Sequence, residues 1–298
     1  KISSYLTIQE GCDKFCKFCV VPYTRGPECS RPFREVINEA KQLVDNGSKE
    51  IILLGQNVNA YNYKDKKLSD LIYSINEIEG LKRIRYTTSH PKDFSEDLIE
   101  IHSNCEKLMP LLHLPVQSGS TNILKNMNRG HTIEEYLDLI ERLKNSKFNM
   151  KFSSDFIIAY PGETDEDFQL TLDLLNNVKF INSYSFVFSE RPGTPAAILP
   201  KIDEKVAKER LLIFQNQANY LKTKYRKQLI NSKVNVLFEN QLMNQNAYFG
   251  RDEYFNSVIV KSNLDVRGKI LTVKINKCNN NTLFGEVLNS NYQSEFAA

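Results

Sequence analysis

Between Ser3 and Ser189 the chain passes six times through the same change of texture, a short apolar run followed by a polar stretch or a segment with helical spacing. The runs predict strands over 3–9, 50–55, 83–89, 111–116, 150–160 and 182–189. The second, "EIILLG", is apolar without interruption, the pattern of a strand covered on both faces in a parallel sheet. The segment "RPFREVINEAKQLVDNG" sets Val36, Ile37, Ala40, Leu43 and Val44 on one helical face, with Pro32 near its first turn and Gly47 as terminator. Further helices are expected over 70–79 and 95–103. Thr132 with Glu135 makes a capping box that opens "IEEYLDLIERLKN", and Thr164 opens "DEDFQLTLDLLNNV". Such alternation argues for a parallel barrel or a doubly wound sheet. A chain of 298 residues has room for one such unit and a small appendage.

Polar residues gather just past the predicted strand ends, at Gln9–Gly11, Gly55–Asn57, Ser89–His90, Gln117–Ser120, Ser153–Asp155 and Glu190–Arg191. In barrels that edge carries the active site. After Pro200 a long helix is expected over about 203–231, with Lys205, Lys208, Arg210, Lys222, Lys224, Arg226 and Lys227 against Asp203, Glu204 and Glu209. Runs at 233–240, 256–262, 269–277 and 282–288, separated by turns such as Asn279–Asn281, predict a small antiparallel β-barrel.

The loop after the first strand, "GCDKFCKFCVVPYTRG", holds Cys12, Cys16 and Cys19. Thiolates in this spacing suit zinc or an iron–sulfur cluster. A structural zinc asks for four ligands, and Cys29 alone offers a nearby fourth. Three ligands on a four-iron cluster leave one iron open. Cys105 and Cys278 read as buried apolar side chains, and the six cysteines do not make a disulfide framework in a chain this long. His90 and His113 read as packing or hydrogen-bonding residues. No apolar stretch approaches the ~18 residues of a membrane span, and the first residues lack a signal-peptide pattern, so a cytoplasmic protein is expected. The net charge of +3 neither demands nor excludes a nucleic-acid partner.

The cysteine loop, "SRP" at 30–32, "LLGQNVNAY" at 53–61, "HLPVQSGS" at 113–120, "MNRGHT" at 127–132, "DFIIAYPGET" at 155–164 and "SERPGTPAA" at 189–197 together resemble the methylthiotransferase branch of the radical S-adenosylmethionine enzymes. "VVPYTRG" and "LLGQNVNAY" most resemble the members that add a methylthio group to C2 of N6-isopentenyladenosine beside the tRNA anticodon. Residues 230–290, with "YFGRDEYFNSVIV", resemble the RNA-binding TRAM domain. The resemblance implies a partial (β/α)6 barrel with its connecting helix over 1–228, and a TRAM-like barrel over 229–298.

It also implies a [4Fe–4S] cluster on Cys12, Cys16 and Cys19, with S-adenosylmethionine on its open iron. Phe18 is then expected to lean on the adenine, and Gln56 and Asn57 to meet the methionine amino group. Gln117, Ser118, Ser154 and Asp155 would serve the ribose hydroxyls and carboxylate, with Arg191 a clamp for carboxylate or phosphate. Arg25 would place a cation near the nucleotide while Gly26 permits the tight loop. Lys222, Lys224, Arg226 and Lys227 are candidates for RNA phosphates. The bland readings of these residues are strand-end capping, ion pairing and a solvated helix end. The implied partners are tRNA and an electron-donor protein.

Family members carry a further N-terminal domain with a second iron–sulfur cluster. The cysteines here are too dispersed to replace it, so this polypeptide is expected to cleave S-adenosylmethionine reductively without completing methylthiolation. Rival readings are a methylthiotransferase for threonylcarbamoyladenosine in tRNA or for a ribosomal-protein aspartate, and a non-enzymatic, zinc-stapled RNA-binding protein.

Overall fold

The computed structural model describes residues 1–243 and 245–288. Six parallel strands, β1 (Ser3–Thr7), β2 (Glu50–Leu54), β3 (Arg83–Tyr86), β4 (Leu111–His113), β5 (Lys151–Ile158) and β6 (Asn182–Val187), follow one another in chain order. β2 joins β1 and β3 in register Ser3↔Glu50↔Arg83, and β5 joins β4 and β6. The halves meet through one parallel bridge, Ile84↔Leu108, where Ile84 N–H donates to Lys107 O at 2.7 Å. Right-handed crossovers between consecutive neighbours put every helix on the same side of the sheet. A doubly wound sheet needs a reversal of strand order, and this order has none. Among the described residues β1 and β6 do not pair, so the barrel is open along one side.

The strands end earlier than the apolar runs predict. Thr87–Ser89, Leu114–Val116 and Ala159–Tyr160 leave the ladders and turn into the loops of the C-terminal face. Thr88, Gln117 and Ala159 have positive φ there (68°, 81° and 58°), a left-handed conformation that bends each exit sharply. Along β5 the period-two alternation sends Phe152, Ser154, Phe156 and Ile158 to the helical layer, and Ser153 and Asp155 to the lumen.

Helices α1 (Phe33–Asp45), α2 (Leu68–Asn76), α3 (Glu96–Asn104), α4 (Thr121–Asn126), α5 (Ile133–Ser146), α6 (Asp165–Val178) and α7 (Glu204–Gln228) wrap the sheet. Both expected caps form as complete capping boxes, Thr132 with Glu135 and Thr164 with Asp167. α4 was not among the expected helices, because six residues are too few to display a period; Ser120 Oγ caps it by accepting Ile123 N–H at 3.3 Å. The 25-residue α7 lays Phe214 against Phe156, with ring centroids 4.7 Å apart. Among the described residues no helix is long and apolar enough to cross a membrane.

Beyond α7, strands β7 (Lys233–Gln241), β8 (Ala247–Arg251), β9 (Ser257–Lys261), β10 (Ile270–Cys278) and β11 (Thr282–Val287) close a barrel in the order β7-β8-β9-β11-β10. Two expectations are corrected. β8 is a fifth strand that its glycine and charged residues concealed, and β9 runs parallel to β11, so the barrel is not wholly antiparallel. Positions 289–298 of the expected second unit lie outside the described residues.

The two barrels are joined by arginines of β3. Arg83 donates to Arg251 O at 2.8 Å and Asn235 O at 2.7 Å. Arg85 donates to Asp252 O and Glu253 O, each at 2.9 Å, and its Nε meets Glu50 Oε2 at 2.7 Å. Both guanidinium groups are buried, and their donors are satisfied by main-chain carbonyls of the second barrel.

Candidate active site

The cysteine loop leaves β1 through Gly11, whose φ is +73°; a Cβ there would stand 2.0 Å from Pro27 O. Only glycine lets the two arms of the loop approach this closely. Gly11 N–H donates to Gln56 Oε1 at 2.8 Å, Gln9 Nε2 donates to Gly11 O at 2.7 Å, and Cys12 N–H donates to Gly26 O at 3.2 Å. A short ladder of Gln9–Glu10 with Cys29–Ser30 closes the base. Cys29 is exposed within that ladder.

On the far side, "MNRGHT" grips the loop. Lys17 N–H donates to Met127 O at 2.9 Å, Asn128 Nδ2 to Phe15 O at 3.0 Å, and Arg129 Nη1 to Cys16 Sγ at 3.5 Å. The thiols are drawn into one partly desolvated patch. Burial pushes the Cys12 thiol up to about 11, with Glu28, Cys16 and Cys19 adding repulsion. Burial also raises Cys19. Among the described residues no three His, Cys, Asp or Glu side chains converge as a single metal ion would require.

Asn57 is buried beside this loop. Its Nδ2 donates to Asp93 Oδ2 at 2.6 Å and Glu28 Oε1 at 3.1 Å, while its Oδ1 has no partner. Lys14 Nζ reaches Asp93 Oδ1 at 2.6 Å. Glu28 and Asp93 therefore join the site although the sequence reading passed over them; Glu28 sits one residue before Cys29, the only local signal it offered. Gln56 faces the loop, where its carbonyl oxygen serves Gly11.

Toward the strand interior, Asp155 Oδ1 lies 3.5 Å from His113 Nε2, and His113 Nδ1 meets Ser153 Oγ at 3.0 Å. His113 and Ser153 line a lumen cavity of about 260 Å³ that receives a side chain from every strand, including Tyr5, Arg85 and Tyr184, and is bordered by Phe255 of the second barrel. Tyr5, Tyr184 and Phe186 are exposed on β1 and β6, the unpaired edges. Phe18 is half-buried against the small apolar cluster of Ile123, Met127, Tyr160, Phe188 and Ala196.

Three of the expected site residues are engaged within the fold itself. Ser154 points into the helical layer, where its Oγ donates to Leu114 O at 2.9 Å and accepts Val116 N–H at 3.0 Å. Ser118 is fully buried against Thr171 and accepts Ser120 N–H at 3.2 Å, so its hydroxyl belongs to the turn. Arg226 is buried and donates to Asn279 O at 3.5 Å, fixing α7 to the second barrel instead of facing solvent. Lys224, Lys227, Arg191 and Arg25 are exposed, and Lys222 is half-buried. Gln117 lies at the strand exit, where its backbone bridges to β5 on both sides.

Residues 6–175 match the family described as the Radical SAM superfamily, more than half of the chain, and residues 227–288 match the TRAM domain. The chain belongs to the Radical SAM superfamily. It is 56% identical over 294 residues to the tRNA-2-methylthio-N(6)-dimethylallyladenosine synthase of Pelagibacter ubique, covering 97% of this chain and 66% of that protein. The enzyme of the same name from Rickettsia akari is 49% identical, covering 96% and 66%. The chain thus spans 66% of the length of these curated relatives. The radical SAM enzyme coproporphyrinogen III oxidase of Escherichia coli superimposes with a TM-score of 0.55 at 15% identity, over 84% of this chain and 67% of that one, a likeness of fold.

Superfamily membership implies a [4Fe–4S] cluster and S-adenosylmethionine, and the residues here fit both. Cys12, Cys16 and Cys19 offer three soft sulfur ligands from one loop, none in a disulfide and all at least partly buried, a donor set suited to iron–sulfur ligation. An unpartnered buried amide oxygen with two carboxylates nearby suits an ammonium group.

Proposed function

We propose that this chain is the catalytic and RNA-binding part of a methylthiotransferase that modifies C2 of N6-isopentenyladenosine beside the anticodon of tRNA. One observation carries the reading: a cysteine loop at the mouth of an open barrel shares a chain with a docked TRAM barrel, in a sequence 56% identical to an enzyme named for that product. Residues 1–228 are the catalytic unit and 229–298 the RNA-binding unit.

Cys12, Cys16 and Cys19 would hold the cluster. Bound together there, cluster and S-adenosylmethionine would supply one-electron chemistry for hydrogen abstraction from the substrate. The protein's part is to bind, orient and exclude water. Asn57 Oδ1, with Glu28 and Asp93 behind it, accepts from the methionine ammonium. Asp155 and Gln117 serve the ribose at the strand exits, Phe18 offers the adenine a ring face, and Arg191 clamps the carboxylate or a phosphate. The target base leaves its stack to enter through the open side of the barrel, where Tyr5, Tyr184 and Phe186 present exposed rings for stacking. Lys222, Lys224 and Lys227 meet tRNA phosphates. The protein works in the cytoplasm and takes single electrons from a donor protein.

The deciding experiment is mass spectrometry of tRNA nucleosides from cells lacking the full-length gene. Loss of the 2-methylthio nucleoside with accumulation of N6-isopentenyladenosine is expected. An unchanged nucleoside profile would exclude this substrate.

A further inference from the structure

Arg129 is a buried cation that pairs with no carboxylate among the described residues. It is 6% exposed; Nη2 donates to Pro115 O at 2.6 Å, Nη1 to Cys16 Sγ at 3.5 Å, and Nε has no partner. The groups that feel its charge are Cys19, Tyr136, His90 and His131, and both rings are held neutral by burial with Arg129 adding to the effect. A guanidinium stays protonated in proteins, so its charge remains whatever surrounds it. Burying such a charge without a counter-ion is strongly unfavourable. The anion that would compensate it has to come from the sulfur side.

Three thiolates on a four-iron core carry a net negative charge, and reduction adds one electron to it. Hydrogen bonds to the sulfurs and nearby charge tune the potential of such a cluster. We infer that Arg129 is a positioning residue for the redox step: its guanidinium neutralises the cluster-bound Cys16 thiolate and stabilises the reduced state. One electron passes from a low-potential one-electron donor to the cluster; no bond breaks at Arg129, and its protons stay in place. This rests on the cluster reading of the cysteine loop.

The test is a potentiometric titration of the anaerobically reconstituted chain, followed by electron paramagnetic resonance of the reduced cluster, in wild type, Arg129→Gln and Arg129→Lys. Gln keeps a donor for Pro115 O and removes the charge; Lys keeps the charge. The Gln variant is expected to show at least a tenfold lower ratio of reduced to oxidised cluster at fixed potential, a shift of 59 mV for one electron. The Lys variant is expected to stay within about threefold of wild type. A Gln variant with the wild-type potential overturns the inference alone. If Gln retains no cluster, Lys decides: the wild-type potential supports the role of charge, and a drop beyond tenfold refutes it. A wild-type chain that takes up no iron and sulfide overturns the cluster reading and this inference together.

Discussion

The thiols of Cys12 and Cys19 are protonated in the metal-free protein because burial disfavours their charge, so ligation must release those protons. Changing any one of Cys12, Cys16 or Cys19 to Ala is expected to lose the cluster, seen as loss of bound iron and sulfide and of the brown colour. Cys29→Ala should keep it, since Cys29 is an exposed ladder residue; a colourless Cys29→Ala protein would mean four ligands and defeat the open-iron reading. A second residue-scale effect concerns His102. It is buried, its Nε2 meets Tyr86 Oη at 2.7 Å, and burial lowers its pKa from 6.5 to about 3. Between those values the unfolded chain binds the proton and the folded chain does not, so this contribution is intact above 6.5 and is lost as pH falls toward 3. At about pH 5 the loss is roughly 2 kcal/mol. Urea unfolding of His102→Gln should show a stability difference between about pH 7 and pH 5 that is smaller by that amount; an identical difference would mean the ring is protonated in the fold.

At the scale of elements, the C-terminal turns of α7 divide one basic run between two environments. Lys224 and Lys227 face solvent and Lys222 is half-buried, whereas Arg226 reaches Asn279 O in the second barrel. Replacing the three lysines by Gln should weaken tRNA binding for all sequences alike and flatten its salt dependence, by about 0.9 in the log–log slope per lost contact. Arg226→Ala should instead lower the free energy of unfolding by about 1–3 kcal/mol with the salt slope unchanged. Equal effects of both changes on the salt slope would put Arg226 at the RNA. The same division could not be read from the run "KTKYRK", since helical spacing identifies which residues share a face but not which neighbour arrives to cover it.

For the whole molecule, the joint between the barrels rests on Arg83 and Arg85, whose five hydrogen bonds tie β3 to Glu50 and to four carbonyls of the second barrel. The Arg85 guanidinium also lies 4.8 Å from the ring of Phe255, which borders the lumen cavity. Truncation removes two charged hydrogen bonds across the joint, to Arg251 O and Asn235 O, so Arg83→Ala should cost about 3 kcal/mol. Calorimetry should then resolve a separate, earlier transition for the second barrel; one transition at the wild-type temperature would show that the joint lies elsewhere. Because Phe255 reaches the cavity from the second barrel, displacing that barrel also opens the lumen to water.

What the sequence alone determined is local in origin. The change of period marks strands and helices, hydroxyl and carboxylate stereochemistry fixes the caps at Thr132 and Thr164, and three thiols within eight positions single out one loop as a candidate for metal ligation. Grouping Ser154 with Asp155 as cofactor ligands overlooked the alternation along β5, which puts neighbouring residues on opposite faces. Tertiary structure decided the rest: the strand order that makes a barrel, the burial of Arg226, the gathering of Glu28 and Asp93 at Asn57, and the meeting of Arg129 with Cys16. The reason is distance along the chain. Arg83 and its acceptor at Arg251 are 168 positions apart, and a partner so remote leaves no trace in the spacing of either segment.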